Sequence, residues 1–452
     1  MKKALILLTC SLNSVLAIAQ TNPVITGWLE NTSGITGRHY ASGSSIPIVD
    51  ADSANVQTVL YSSTSSYIRT KGVPAYITGP FLDGNPSVTT TQNAIFKFPL
   101  TPAPNTGTPT ATSGGNIGIF INGVAMFDYR DGVSWKNSTS ALAGGPLGGM
   151  GDGVWNRDAV VGEKLGFDCS KGHPAMGNYH HHQNPSAFRL DLVVISTVCN
   201  LYVADALYNI DSEHHSPLLG FAYDGYPVYG AYGYKNADGT GGIVRMKSSY
   251  TLRSITTRTT YAGGGAVTPG PAVSPTYPLG YFREDYQYNA TTSLTPDYLD
   301  DHNGRFCITP EYPAGTYAYF CTVDANWNSA YPYMIGPTYY GIKSASKVTS
   351  ITETVTKYIP PTMMVNNQVE MPTVVVYPNP ASDLVAIQLS NLTTENIDIS
   401  LYDINGRFVQ KTTLFQGSTM AYFDTKALYE GDYVIRINTQ QGVVSKKITI
   451  LR

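Results

Sequence analysis

Residues 172–185 read GHPAMGNYHHHQNP, and the rest of the sequence is organised around this stretch. It begins and ends with turn-forming Gly and Pro, and it holds four of the chain's eight histidines. We expect it to be extended, so that successive side chains point to opposite faces. His180 and His182 then share one face of a strand. Tyr179 and His181 occupy the other face.

The clustered histidines indicate a metal site, because neutral imidazole is the commonest protein ligand for metal ions. His180 and His182 are the expected core ligands, and His173 or the later pair His214 and His215 would complete the site. Imidazole ligands without an obvious cysteine suit copper or zinc. A packed or hydrogen-bonded histidine cluster without metal, and a solvated polar loop, remain open as alternatives.

Four further side chains near the histidines are candidate second-shell partners of the imidazoles or candidate acid–base groups. They are Glu163, Tyr179, Glu213 and Asp224. Asp224 is followed by Gly and flanked by aromatic residues, which favours the role of a turn residue in a hairpin. An ion with a coordination position open to water would permit hydrolysis or redox chemistry. No G-x-S-x-G motif supports a serine hydrolase, so whether the protein is an enzyme stays open.

Composition predicts a mainly β protein with few helices. Charged residues make up only 13% of the chain, while it has 43 Gly, 28 Pro and 33 Tyr. This mixture favours short strands joined by turns, as in a β-sandwich-like central domain. Residues 94–100 read as an alternating strand, Asn122-Gly123 as a hairpin turn, and residues 199–212 as one of the few helices. A net charge of −3 without a basic run disfavours nucleic acid as a partner.

The tyrosines support a second functional class. A Tyr-rich, weakly charged groove can stack on sugar rings, so a non-catalytic surface module for glycan or another polymer is the alternative function, with structural histidines. For most of these tyrosines, packing between strands is the favoured explanation. The candidates are Tyr226, Tyr229, Tyr232, Tyr234, Tyr317 and Tyr319.

The first nineteen residues predict a secretory signal peptide. Lys2 and Lys3 precede an apolar run, and residues 17–19 form an A-x-A cleavage site. No other apolar run is long enough to span a membrane.

Four cysteines follow the signal peptide, and an exported chain permits disulfides. Three connectivities are possible, and pairing of nearest neighbours is preferred. The expected disulfides are Cys169–Cys199 and Cys307–Cys321.

The domain organisation follows from changes in composition. Residues 20–345 form a secreted domain with a core at about 115–340, and residues 346–372, rich in Thr and Val, are expected to be a linker. Residues 373–452 contain strands at regular spacing with turn signals, which predicts a small β-sandwich.

The last eighty residues resemble the type A sorting domain of the type IX secretion system of Bacteroidetes. The matching stretches are YPNP at 377–380, LYDINGR at 401–407 and GDYVIRI at 431–437, with Lys446-Lys447 before the final strand. The resemblance implies the type IX secretion machinery as partner. It also implies release from the cell or attachment to the outer cell surface.

The central region, roughly residues 115–340, resembles the YHYH domain family, named for a Tyr-His-Tyr-His motif. The motif stands here as YHHH at 179–182, supported by GFAYDGYPVYG at 220–230 and TYAYF at 316–320. His181 occupies the second Tyr position, so a function that needs that hydroxyl is in doubt. The resemblance implies a fold and a site, and it carries no established reaction.

Overall fold

The computed structural model describes residues 20–360, except 33, 42–47, 82–86, 169 and 186–211, and residues 374–452, except 390–395, 405, 417 and 440–441. The chain divides into two compact units, Met1–Pro360 and Pro361–Arg452. The predicted signal peptide, the helix predicted from residue 199 onward and the Cys169–Cys199 disulfide lie outside the described residues.

The described part of the first unit consists of short strands, two one-turn helices and single 3-10 turns. The helices are α1 Pro23–Thr26 and α2 Ala159–Gly162. The 3-10 turns are Asn137–Thr139, Gly145–Leu147, Lys164–Gly166, Arg283–Asp285 and Thr292–Leu294. The strands are β1 Thr36–His39, β2 Ile48–Ser53, β3 Val56–Tyr61, β4 Ser65–Thr70, β5 Ile77–Thr78, β6 Ala94–Pro99, β7 Asn116–Phe120, β8 Ala125–Phe127, β9 Arg130–Lys136, β10 Ala141–Gly144, β11 Asn156–Asp158, β12 His173–Ala175, β13 Asn178–His181, β14 Leu218–Ala222, β15 Pro227–Tyr229, β16 Tyr232–Tyr234, β17 Ile243–Arg245, β18 Tyr250–Leu252, β19 Tyr286–Tyr288, β20 Gly304–Thr309, β21 Tyr312–Phe320, β22 Ser346–Val348 and β23 Thr356–Lys357.

Two large sheets dominate this unit. An eight-stranded sheet has the order β12-β13-β8-β7-β14-β15-β21-β20, and a five-stranded sheet has the order β22-β6-β4-β3-β23. The sheets β2-β1-β5 and β10-β9-β11 and the pairs β16-β17 and β18-β19 are smaller. The mainly β, sandwich-like fold with few helices is therefore confirmed.

Aromatic side chains join the two large sheets in one core. Along β6, Phe96 and Phe98 are buried while Ile95, Lys97 and Pro99 are partly exposed, as the alternating pattern predicts. The Trp28 ring lies 5.5 Å from that of Phe98 and 5.2 Å from that of Phe221 on β14. Burying a phenylalanine side chain such as Phe98 stabilises the fold by about 1.5–3 kcal/mol.

The two predicted hairpins are confirmed. β7 and β8 pair antiparallel around Asn122-Gly123, and β14 and β15 pair around Asp224-Gly225. Gly123 and Gly225 have φ of 81° and 89°, which favours glycine at both positions. Asn122 is not in the left-handed region, and its side chain instead accepts a hydrogen bond from Val124 N at 3.1 Å.

The first half of the expected linker belongs to the first unit. β22 pairs with β6 and β23 pairs with β3, so residues 346–357 supply both edge strands of the five-stranded sheet. The Thr- and Val-rich composition suited edge strands as well as it suited a linker.

The second unit is a small β-sandwich, as predicted. Its sheets are β24-β25-β28 and β27-β26-β29-β30, and inward aliphatic residues such as Ile387, Ile399 and Ile435 form its core. Its strands are β24 Val374–Tyr377, β25 Leu384–Leu389, β26 Ile397–Asp403, β27 Phe408–Leu414, β28 Met420–Asp424, β29 Gly431–Thr439 and β30 Gly442–Ile450.

Candidate metal centre

A tight hairpin carries the first histidines of the site. β12 and β13 pair antiparallel, with His173 directly opposite His180, so the two rings share one face of the sheet. The connecting residues Met176 and Gly177 have φ of 49° and 81°, and a two-residue turn of this kind needs positive φ at both positions. His182 follows the end of β13. The hairpin therefore gathers three imidazoles at one edge of the eight-stranded sheet.

The Nε2 atoms of the three rings converge. His182 Nε2 lies 3.1 Å from His180 Nε2 and 3.4 Å from His173 Nε2, and one ligand atom from each ring falls within 4.8 Å of the others. With zinc–nitrogen bonds of about 2.0–2.1 Å, the nitrogens of a tetrahedral site are about 3.3–3.4 Å apart. The distances from His182 Nε2 to the other two nitrogens are close to this value.

The opposite nitrogen of two rings is fixed by a backbone carbonyl. His180 Nδ1 donates to Asn178 O at 2.8 Å, and His182 Nδ1 donates to Asp128 O at 2.5 Å. A carbonyl can only accept, so Nδ1 carries the proton in both rings. In the neutral rings, the two Nε2 lone pairs face each other at 3.1 Å. Two lone pairs at this distance repel each other, and a proton on one ring or a metal ion between the rings would remove the repulsion.

Aromatic rings enclose the histidines. The Phe127 ring stacks on His180 at 3.7 Å, and Phe167 meets His173 edge-on at 5.0 Å. All three histidines are buried. Burial and the neighbouring imidazoles lower the pKa of His180 well below its usual value, so this ring is neutral and able to bind a metal.

Glu163 brings a carboxylate to the cluster. Asp158 accepts hydrogen bonds from Val160 N and Val161 N at the start of α2, and Glu163 ends this single turn. Glu163 Oε2 then lies 3.2 Å from Nε2 of His173 and 3.2 Å from Nε2 of His182.

Despite these short contacts, Glu163 Oε2 is buried and receives no hydrogen bond of good geometry from the described residues. Burial alone would raise the pKa of Glu163, but His173 and His182 hold it well below its usual range. For His182, burial alone would lower the pKa. The contact with Glu163 outweighs burial, and the pKa of His182 is raised above its usual value. The site thus combines three imidazoles with one ionised carboxylate.

The other face of β13 has a different role. Tyr179 Oη donates to the buried carboxylate of Asp168 at 2.8 Å, and His181 Nε2 lies 2.7 Å from Tyr76 Oη. Burial lowers the pKa of His181 to about 3 and raises that of Asp168 to about 7. Tyr179, a candidate second-shell residue, therefore contacts this network behind the strand. Asp168 was missed because nothing in its local sequence marks it.

The structure does not bring the second histidine pair to the cluster. His214 and Glu213 are exposed. His215 packs against Tyr229, Tyr234 and Phe320, with Nδ1 donating to the adjacent carbonyl of residue 216 at 2.8 Å. The sequence predicts His214 and His215 as candidates to complete the first cluster. In the structure, the chain after this pair enters β14, which lies in the middle of the eight-stranded sheet.

Asp224 occupies the turn between β14 and β15. Its Oδ1 accepts from Tyr226 N at 3.2 Å, and its Oδ2 accepts from Tyr319 Oη at 2.6 Å and Gly341 N at 2.8 Å. None of these partners belongs to the histidine cluster. The carboxylate holds a turn to two other segments of the fold.

Most of the candidate tyrosines are packed inside the fold. Tyr226, Tyr229, Tyr317 and Tyr319 are buried, while Tyr232 and Tyr234 are half-buried. The stacked contact of Tyr317 with Tyr340, at 3.7 Å between ring centres, is an example of this packing. These rings do not form an open aromatic groove.

The predicted Cys307–Cys321 disulfide is wrong, because both residues are free, buried thiols. Cys307 on β20 pairs with Thr316 on β21, and Cys321 lies five residues further along the same strand direction. At about 3.3 Å per residue, this offset is about 16 Å. A disulfide needs Cα atoms within about 7 Å of each other. Burial raises the pKa of both thiols, which keeps them protonated.

Two family models match the sequence. The model described as YHYH protein matches residues 95–332, just over half of the chain, and the model described as Secretion system C-terminal sorting domain matches residues 375–451. The second match shows export by the type IX system to the cell surface or beyond it, as predicted. Among the described residues, no helix is long and apolar enough to cross a membrane.

The remaining comparisons add little. No curated protein matches the sequence. A solved structure with partial similarity is a DUF3244 family protein with an immunoglobulin-like β-sandwich fold from Bacteroides vulgatus. It is 13% identical, and the match covers 17% of this chain and 82% of that chain with a TM-score of 0.15. A similarity this low carries no inference about the present chain.

Proposed function

The chain belongs to the YHYH protein family, and on that premise we propose that its histidine cluster binds one transition metal ion in the exported protein. His173, His180 and His182 are the proposed nitrogen ligands, and Glu163 is the proposed oxygen ligand. The observation that carries the proposal is the convergence of three Nε2 atoms, with Glu163 Oε2 3.2 Å from those of His173 and His182.

The donor set narrows the choice of metal. Imidazoles suit copper, zinc, iron and nickel, whereas magnesium and calcium prefer oxygen ligands. Three converging imidazole nitrogens, with the Glu163 carboxylate in contact with two of them, suit zinc, whose sites usually have four ligands in a tetrahedron. Copper or zinc is therefore proposed, and the carbonyls that accept from His180 and His182 would orient those rings toward the ion.

The competing explanation is a proton shared within the cluster. His182 would then be an imidazolium paired with Glu163, and the histidines would be structural. The two explanations differ in what the purified protein contains, because only the first requires a metal in about equal amount to protein.

Elemental analysis of the purified full-length protein tests the proposal. We expect about one equivalent of copper or zinc that a chelator removes and added metal restores. His180→Ala combined with His182→Ala should abolish uptake. His181→Ala is the matched control, since that ring lies on the other face of β13 against Tyr76. Tryptophan fluorescence verifies that each variant is folded.

Two results would contradict the proposal. Less than about a tenth of an equivalent, with no uptake of added copper or zinc, would exclude metal binding. Equal metal loss in the folded control and the folded double variant would show that His180 and His182 are not the ligands. Glu163→Gln separates the carboxylate's contribution: as a ligand, its loss should weaken metal binding about tenfold or more with the fold intact.

A further inference from the structure

A cavity lies beside the hairpin that carries the histidine cluster, with Asn178 among its lining residues. It has a volume of about 330 Å³ and is lined by residues of β6 and β22 in the five-stranded sheet and of β7 and β13 in the eight-stranded sheet. That volume is within the usual range of about 300–1,000 Å³ for small-molecule sites. Its walls combine aromatic, amide and ammonium groups, which suit one class of ligand.

Three amide side chains line the cavity. They are Gln92, Asn116 and Asn178, and each offers both donors and an acceptor. Gln92 Nε2 already donates to Thr90 O at 3.1 Å, which leaves its oxygen as an acceptor. Amides of this kind hydrogen-bond hydroxyl groups, which donate and accept at once.

Two lysines supply positive charge to the same cavity. Lys343 and Lys347 line it, both are exposed at its mouth, and no carboxylate is among its lining residues. The ion pairs formed by described lysines involve other residues. Lys343 Nζ lies 6.0 Å from the centre of the Tyr223 ring, so its ammonium group is near the aromatic wall.

The back wall is apolar. Tyr223 and Phe96 are buried there with their ring centres 6.4 Å apart. Only 6% of Tyr223 and 5% of Phe96 is exposed, so these rings offer a bound sugar a small apolar contact at the bottom of the cavity and no stacking platform. Aromatic, amide and ammonium groups together match the ring, the hydroxyls and a carboxylate of one sugar.

We propose that this cavity binds a hexuronate, that is, a sugar acid presented as a monosaccharide or as a residue of an acidic polysaccharide. The carboxylate would lie at Lys343 and Lys347, and the hydroxyls would meet the amides. The inference is independent of metal binding. It nevertheless places the ligand beside the cluster, because Asn178 lines the cavity and its carbonyl accepts from His180 Nδ1.

D-glucuronate and D-glucose form a matched pair of probes, since they differ only in the carboxylate at C6. We expect saturable binding of D-glucuronate to the full-length protein, measured by calorimetry and by ligand-observed NMR. D-glucose should bind at least about tenfold more weakly, the loss of one charge-assisted contact. Binding should persist after chelator treatment, which separates this proposal from the metal site.

Variants locate the binding. Lys343→Met with Lys347→Met keeps the side-chain stems and removes both charges, so affinity for D-glucuronate should fall about tenfold or more. Lys235→Met with Lys357→Met is the control, because it changes net charge equally at exposed positions outside the cavity. Asn178→Ala should also weaken binding while its backbone carbonyl remains.

Four outcomes would overturn the proposal. The first two are no saturable binding of D-glucuronate and equally tight binding of D-glucose. The third is competition by acetate as strong as that by D-glucuronate, which would show a response to charge without recognition of a sugar. Equal losses in the cavity pair and the control pair would likewise place the binding elsewhere.

Discussion

Asp224→Asn tests whether this carboxylate is structural or belongs to the metal site. The carboxylate accepts three hydrogen bonds, from Tyr226 N, Tyr319 Oη and Gly341 N, yet it is completely buried. Burial outweighs these donors and raises the pKa of Asp224 from 3.8 to about 6. The folded protein therefore holds this proton more tightly than the unfolded chain does.

The shift sets the size of the effect. A rise from 3.8 to about 6 corresponds to about 3 kcal/mol of stability. Because the folded pKa is the higher one, this contribution is complete below about pH 4 and is lost as the pH rises through about 6. Asparagine has the shape of the protonated acid and does not titrate. The difference in free energy of unfolding between Asp224→Asn and the wild type should therefore change by about 3 kcal/mol in favour of the variant as the pH rises from 4 to 8.

Urea unfolding followed by tryptophan fluorescence measures the difference, since all four tryptophans lie in the first unit. Asp158 and Asp168, whose pKa burial raises to about 7, change the stability of both proteins alike and cancel in the comparison. A difference in free energy of unfolding that stays constant with pH would refute the reasoning. The metal content of Asp224→Asn should equal that of the wild type. A loss of metal in the variant would show that Asp224 contributes to the metal site.

Three other predictions concern the surroundings of the site and the cysteines. Gly172→Ala would place a methyl 2.4 Å from Tyr179 Oη and 2.8 Å from a His181 carbon, so urea unfolding should show a loss of about 1–3 kcal/mol. His181→Ala should also destabilise the fold in that assay, since it removes the partner of a buried hydroxyl, while elemental analysis should find metal binding retained. In denatured but unreduced protein, an alkylating reagent should modify both Cys307 and Cys321, as detected by mass spectrometry. Protection of both cysteines would instead show that they form a disulfide.

Sequence pattern predicted the parts of the fold that depend on neighbouring residues. The alternation along β6 and the glycines at two turns follow from the two-residue repeat of strands and the freedom of glycine. The same repeat separated His180 and His182 from His181, and the structure has His181 against Tyr76, behind the cluster. These inferences need no knowledge of which strands are adjacent.

Inferences that depended on strand order or register were weaker. Cys307 and Cys321 are close in sequence, but the register of β20 and β21 separates them. His215 is near the first cluster in the chain, yet it packs against residues of β15, β16 and β21. Neither result could be read from spacing, because spacing does not say which residues become opposite one another.

Glu163 shows how a local signal and a tertiary contact combine. The run from Asp158 to Glu163 carries a helix start, with an aspartate that accepts from the following backbone N–H groups. That signal predicts a helical turn and fixes where Glu163 emerges from it, but it does not identify the partner. The partner depends on β11 lying beside β9, and Arg157 of β11 pairs there with Asp131 of β9. Only then does the carboxylate reach the Nε2 atoms of His173 and His182, and this contact adds a carboxylate to the cluster of three imidazoles.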